Sequence, residues 1–190
     1  MNRILKKFIF IVVILMIIWG CSFLMLFPDS IFMDEKIKYS HEIDQLKSKK
    51  LSVFYNFRKG TESANTDFYL NEKPDNNDEV FFTFYSQLAK RPIPLQFLTF
   101  NLSTGYNGVN VEIYKIGNRF RTEVNNFTDN ASDTNSTKYK ILHTKLTLDK
   151  SDYKTGDSIF GKIKLEIEET GTDQSVRKYL SQGVFKSTVQ

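Results

Sequence analysis

Two short stretches of this chain concentrate oxygen ligands. Asp75, Asn76, Asn77, Asp78 and Glu79 form one, and Asp129, Asn130, Asp133 and Asn135 form the other. Carboxylates and amides at that density are the donor set calcium accepts, because the ion takes several oxygens at once. Asp75 and Asp78, or Asp129 and Asp133, are therefore the calcium candidates. Neither stretch has EF-hand spacing or a glycine at its turn position, so an ordinary solvated loop is the preferred reading of both. The two histidines, His41 and His143, lie far apart with no third ligand at metal spacing. The only cysteine, Cys21, sits in an apolar N-terminal run, which leaves the rest of the chain without a thiol nucleophile. No nucleophile elbow, phosphate-binding loop or dinucleotide fingerprint occurs. No carboxylate pair can be tied to one cleft, so Asp/Glu hydrolysis ranks last among the functions considered. The chemistry expected is recognition, with no catalytic residue and no cofactor.

Aromatic residues make up 14% of the chain. Phe81, Phe82, Phe84 and Tyr85 fall within one β-type run. In a regular strand Phe81 and Tyr85 share one face, and Phe82 and Phe84 share the other. Packing of both sets between two layers is preferred. A set left in solvent would mark a surface for a protein or glycan partner.

Such side chains need a scaffold, and the scaffold needs a location. Arg3, Lys6 and Lys7 precede an unbroken apolar run over residues 8–27, and Asp29, Asp34 and Glu35 follow it. About 20 helical residues match the ~30 Å hydrocarbon layer. Lys and Arg favour the cytoplasmic side, so the expected topology is a cytoplasmic N-terminus with residues 29–190 exported. Pro28 ends the helical pattern. A second reading takes residues 1–7 and 8–18 as the two parts of a signal peptide. Ile18-Trp19-Gly20-Cys21 then resembles a bacterial lipobox, which implies cleavage and lipidation at Cys21. Bulky Trp19 and the apolar residues 23–27 depart from that pattern. An uncleaved span, a lipid anchor at Cys21 and a plainly cleaved signal all remain open.

Charge narrows the partners. The chain has 26 basic and 22 acidic residues, and all three residues of charge before Asp29 are basic. The exported part is nearly neutral, which gives no reason to expect nucleic-acid binding. It lacks cysteine and hence disulfides, which favours a bacterial envelope protein.

The expected organisation is an anchor over residues 1–28, a stalk or short helix over 29–50, and a β-sandwich-like domain over 51–190. Period-two alternation marks strands at 51–57, 142–148 and 159–168, β-type residues mark 80–86, Pro92 and Pro94 bound a further run at 95–100, and a last strand runs from Ser175 towards Val189. A short strand is expected at 67–70, and Gly183 reads as a bulge. The strongest local signal is a hairpin over 109–124 turning at Gly117-Asn118. That turn pairs Ile116 with Arg119, Ile113 with Thr122 and Val111 with Val124. It places Val109, Val111, Ile113, Phe120, Thr122 and Val124 on one face. Ile141 and His143 are expected to share a face.

The run Tyr153-Lys154-Thr155-Gly156-Asp157, leading into a strand that carries Gly161, resembles a strand–turn–strand of exported Ig-like and macroglobulin-like modules. The resemblance reaches residues 142–190 and implies a sandwich but no activity. The fold class expected is all-β: an antiparallel β-sandwich-like exported domain behind an N-terminal transmembrane helix. The function expected is a membrane-anchored binding module. A toxin-immunity protein is one specific version, and a carbohydrate- or peptide-binding adaptor is another.

Overall fold

The computed structural model describes residues 3–46, 66–68, 70, 79–85, 95–103, 107–128 and 137–189. Helix α1 covers Arg3–Leu26. Strands β1 (Asp29–Ser30) and β2 (Phe32–Met33) follow, then a single 3-10 turn and helix α2 (His41–Leu46). The remaining strands are β3 (Glu79–Tyr85), β4 (Gln96–Ser103), β5 (Asn107–Ile116), β6 (Arg119–Thr128), β7 (Lys138–Leu148), β8 (Ser158–Thr170) and β9 (Val176–Thr188). The chain is thus mostly β, behind one apolar helix.

The strands form two sheets. One has the order β1-β6-β5-β4-β3 and the other β2-β7-β8-β9. All pairings are antiparallel except β2 with β7, which run parallel. Leu98, Phe100, Val111, Ile113 and Phe120 of the first sheet share one hydrophobic cluster with Leu146, Leu148, Ile163, Leu165, Ile167 and Phe185 of the second. Each apolar side chain of this size contributes about 1.5–3 kcal/mol on full burial. Phe100 packs on Phe68 and Phe185, with ring centroids 5.0 and 5.3 Å away.

The hairpin has the register its sequence dictates. Ile116 pairs with Arg119, Ile113 with Thr122 and Val111 with Val124. Gly117 takes φ +54°, the left-handed conformation a two-residue turn needs. Between β8 and β9 the chain turns at Gly171, whose N–H donates to Ser175 O at 2.8 Å.

Three local expectations differ. Strand β7 carries a bulge between Ile141 and His143: Ile141 pairs with Ile167, whereas His143 pairs with Glu166. Leu142 is the extra residue, so Ile141 packs inward and His143 is exposed on the opposite face. Gly183 sits in regular pairing with Ile163, so it is no bulge. A Cβ there would lie 2.7 Å from Cβ of Phe68 and collide with that residue's backbone, so the glycine permits a close crossing. The described residues of the segment expected as a strand, Asp67, Phe68 and Leu70, belong to no strand. Thr66 makes a single bridge to Phe185, and Asp67 N–H donates to Val184 O at 3.2 Å. The expected strand at 51–57 lies outside the described residues.

Residues 29–46 lie against the sheets. β1 joins one sheet and β2 the other, with Ile31 buried between them. Ile37, Ile43 and Leu46 are buried too, and Ile43 and Leu46 cluster with Val184. The apolar face of α2 is what draws it onto β9 and away from solvent.

Candidate functional site

Helix α1 ends on the β5–β6 hairpin. Phe27 N–H still donates to Phe23 O at 3.0 Å, and Pro28 then stops the helix. Arg119, the first residue after the hairpin turn, reaches the two carbonyls just past the end of the helix. Its Nε donates to Phe27 O at 2.7 Å, a terminal nitrogen donates to Pro28 O, and the other reaches Ser30 Oγ at 3.5 Å. Ile31 N–H donates to Asn118 O at 3.0 Å, which fixes the outgoing chain to the same turn. Phe27 is buried, and the Arg121 guanidinium lies 5.9 Å from its ring centroid. Burial raises the carboxyl pKa of nearby Asp29, while His143 and Arg119 pull it back down.

From this junction a ladder of rings and charges crosses the outer face of the five-stranded sheet. Arg121 lies over the Tyr114 ring at 4.7 Å and pairs with Glu123 at 3.0 Å. Tyr114 donates to Glu112 Oε2 at 2.6 Å, and its ring meets Phe97 edge-on at 5.2 Å. The Glu112 bond, desolvation and the nearby carboxylates push the Tyr114 phenol well above its usual range.

At the same end of the molecule a lysine is buried in the inward face. Lys115 is 1% exposed. Its ammonium donates to Gln96 Oε1 at 3.1 Å and to Ser151 O, and Gln96 Nε2 donates to Tyr153 O at 3.1 Å. Buried Tyr153 donates to Asp149 Oδ1 at 2.7 Å, and that oxygen also accepts Phe160 N–H at 3.0 Å. Asp157 bonds Lys150 at 2.7 Å and Lys154 N–H at 3.0 Å, and Gly156 turns with φ +89°. Burial lowers the Lys115 pKa, and Asp152 opposes the shift. The arrangement closes the 149–157 loop over the end of the core. The Lys115 ammonium, the Gln96 amide and the Tyr153 hydroxyl each donate to an acceptor within it, so its evident work is structural.

The outer face of the four-stranded sheet is different in character. Lys138, Lys140, Lys145, Lys164 and Lys178 are exposed there, against Glu166 and Glu168. Lys145 stands directly across from Lys164. Leu180 (64% exposed) and Val176 (58%) lie among them.

The residues singled out by sequence fall as follows. Cys21 is an exposed free cysteine within α1. His41 is exposed and bonded to Gln45 Nε2 at 3.0 Å. Asp75, Asp78, Asp129 and Asp133 lie outside the described residues. Among the described residues no three His, Cys, Asp or Glu side chains gather to hold a metal. Phe81, Phe82, Phe84 and Tyr85 are in β3 at register positions opposite Asn101, Phe100, Leu98 and Phe97. Their side chains lie outside what is described. The sequence by itself does not single out Arg119, Lys115 or the lysine face. For Lys115 a signal existed, because continuing the alternation from Val111 and Ile113 puts residue 115 on the inward face.

No known protein family, curated protein or solved structure matches the chain.

Proposed function

We propose that the chain is a single-pass membrane protein with a cytoplasmic N-terminus. Its β-rich part is read as an antiparallel β-sandwich exported beyond the membrane, acting as a binding module that turns nothing over. Helix α1 is long and apolar enough to cross a membrane over Lys7–Leu26. The observation that carries the reading is the Arg119 tie. A helix leading into a loose linker would leave the domain's orientation free. Here the helix terminus, β1 and the hairpin turn are hydrogen-bonded together, which holds the sheets at a set angle to the helix. That suits a module whose task is to present one face to a partner.

The helix runs on through Cys21 to Leu26, and Phe27 packs against Arg121. The reading takes the span as uncleaved, with Cys21 as one of its residues and no lipid attached. The test uses the full chain carrying Cys21→Ser and a single new cysteine, either Asn2→Cys or Thr172→Cys. A membrane-impermeant maleimide should label position 172 from outside and leave position 2 untouched. The reverse pattern overturns the orientation. Loss of membrane attachment on Cys21→Ser alone overturns the uncleaved span. Turnover by the purified chain that a single Asp or Glu change abolishes overturns the non-enzymatic reading.

A further inference from the structure

We propose that the outer face of the four-stranded sheet docks an acidic protein segment that carries apolar side chains. The proposal rests on the binding-module reading above and names the partner's chemistry. The face is ordered by its register. From the anchor end outward, its rows are Lys145 opposite Lys164 and Gln182, His143 opposite Glu166 and Leu180, Lys140 opposite Glu168 and Lys178, and Lys138 opposite Thr170 and Val176. The neighbouring row, Thr147 with Lys162 and Val184, is already occupied. Lys162 pairs with Glu42 at 3.0 Å, and α2 packs over Val184. The open part therefore begins just beyond α2 and runs away from the anchor junction for about 3.3 Å per residue of strand.

Five lysines face two glutamates on this surface, although the exported chain as a whole is close to neutral. None of the five makes a salt bridge among the described residues; Lys145 lies over the exposed Phe32 ring at 5.5 Å. The Lys145–Lys164 pair is the telling feature. Like charges directly opposite on neighbouring strands destabilise a sheet, and the register puts Gln182, not an acid, in the same row. A partner carboxylate placed over the pair would relieve that repulsion and gain two attractive contacts.

The chemistry favours a protein over other polyanions. The face has exposed lysines and no arginine, so it lacks the planar fork that suits phosphate. Glu166 and Glu168 would repel a uniformly charged polymer but can accept donors from a protein. Leu180 and Val176, exposed at the β9 side, provide the apolar contact area that a glycan or nucleic-acid backbone would leave unused. The face also extends away from the helix terminus, which sets most of it apart from the lipid surface of its own membrane.

The test uses the full chain in phosphatidylcholine nanodiscs and fluorescence anisotropy. The probe is a labelled peptide of glutamate and serine around two central leucines. Comparison probes are the same peptide with lysine for glutamate, a poly-thymidine oligonucleotide, and phosphatidylglycerol vesicles. The glutamate peptide should bind saturably and lose affinity as salt rises. Lys164→Glu with Lys178→Glu should weaken it about tenfold or more, since each reversal replaces attraction by repulsion. Leu180→Ser should weaken it several-fold. Lys164→Glu alone should not lower the melting temperature, because it gives Lys145 an acidic neighbour. The proposal is overturned if the charge-reversed chain binds the glutamate peptide as well as the native one, if the native chain shows no binding, or if the oligonucleotide or the vesicles bind more tightly. These results are independent of the maleimide pattern. Failure here with position 172 still labelled from outside removes the docking face and leaves the topology standing.

Discussion

Removing the Arg119 guanidinium should loosen the helix from the sheets without unfolding the sheets. The side chain donates one short bond to Phe27 O at 2.7 Å, a second to Pro28 O, and a marginal one to Ser30 Oγ at 3.5 Å. A bond from a charged donor contributes about 1.5–3 kcal/mol net when sheltered from water. Only the Phe27 bond is sheltered, and the Ser30 contact is long and exposed, so Arg119→Ala should cost about 2 kcal/mol at the junction. Arg119→Lys should cost about half as much, because an ammonium can follow one carbonyl but cannot fork across two. The readout is hydrogen exchange of the Ile31 amide, which is held by Asn118 O at 3.0 Å. Since every 1.4 kcal/mol is tenfold, local opening should become about thirtyfold more frequent in the alanine variant. Exchange at Leu165, central in β8, should not change. Unchanged protection at Ile31 would show that the tie holds nothing. Equal acceleration at Ile31 and Leu165 would show that Arg119 supports the whole fold and not the junction.

Gly183→Ala and Gly161→Ala should each lower stability by about 1–3 kcal/mol, the cost of forcing a methyl into a filled site. The first meets the Phe68 backbone, and the second lies 2.6 Å from Cε2 of buried Phe185. Gly20→Ala, with nothing within 4 Å, is the control, and thermal melts of the full chain in detergent decide the matter. Stability should fall as pH rises past 10. Burial and carboxylate neighbours raise the pKa of Tyr153 and Tyr139 from 10.0, and the Glu112 bond does so for Tyr114, so above that pH the unfolded chain releases protons that the folded chain retains. Lys115, whose pKa burial lowers from 10.5, acts in the opposite sense, because the unfolded chain holds its proton longer. Denaturant titrations across alkaline pH should show a shallower fall for Tyr153→Phe, and an unaltered slope would contradict the assignment. Asp29→Asn should stabilise the chain at neutral pH and not well below 3.8. The raised pKa means that ionised Asp29 is a net cost once pH exceeds its folded value, and equal stability changes at both pH values would refute this.

Local patterns carried far in this chain where the partner of a strand is its neighbour in sequence. The hairpin of β5 and β6 is the clearest case. Its alternation and its Gly117-Asn118 turn specify one register, since a shift by one residue would turn Val111 and Ile113 to the wrong face. The same alternation in β8 places Ile159, Ile163, Leu165 and Ile167 inward, where they are buried. The bulge at Leu142 was not legible, because it is defined by counting residues against β8, and residues 141–144 contain no glycine or proline to mark it. Gly183 departs from its expected bulge for a related reason. A glycine within a strand signals either a bulge or a close approach, and only the position of Phe68, far away in sequence, decides between them.

What the sequence determined by itself are the features whose cause lies within about a dozen residues. An apolar run of helical length makes α1, a period of two makes the strands, and positive φ at a glycine makes the turn. Tertiary structure decided what depends on segments brought together from far apart. Arg119 meets the end of a helix more than 90 residues earlier, |i−j| = 92 for the Phe27 bond. Lys115 becomes a buried cation only because the 149–157 loop closes over it, and its ammonium is then answered by Gln96 and Ser151. The lysine face exists only because three strands align five separate side chains on one side of one sheet. A residue's chemistry is written in its type. Its solvation and its neighbours, which set what that chemistry does, are supplied by the fold.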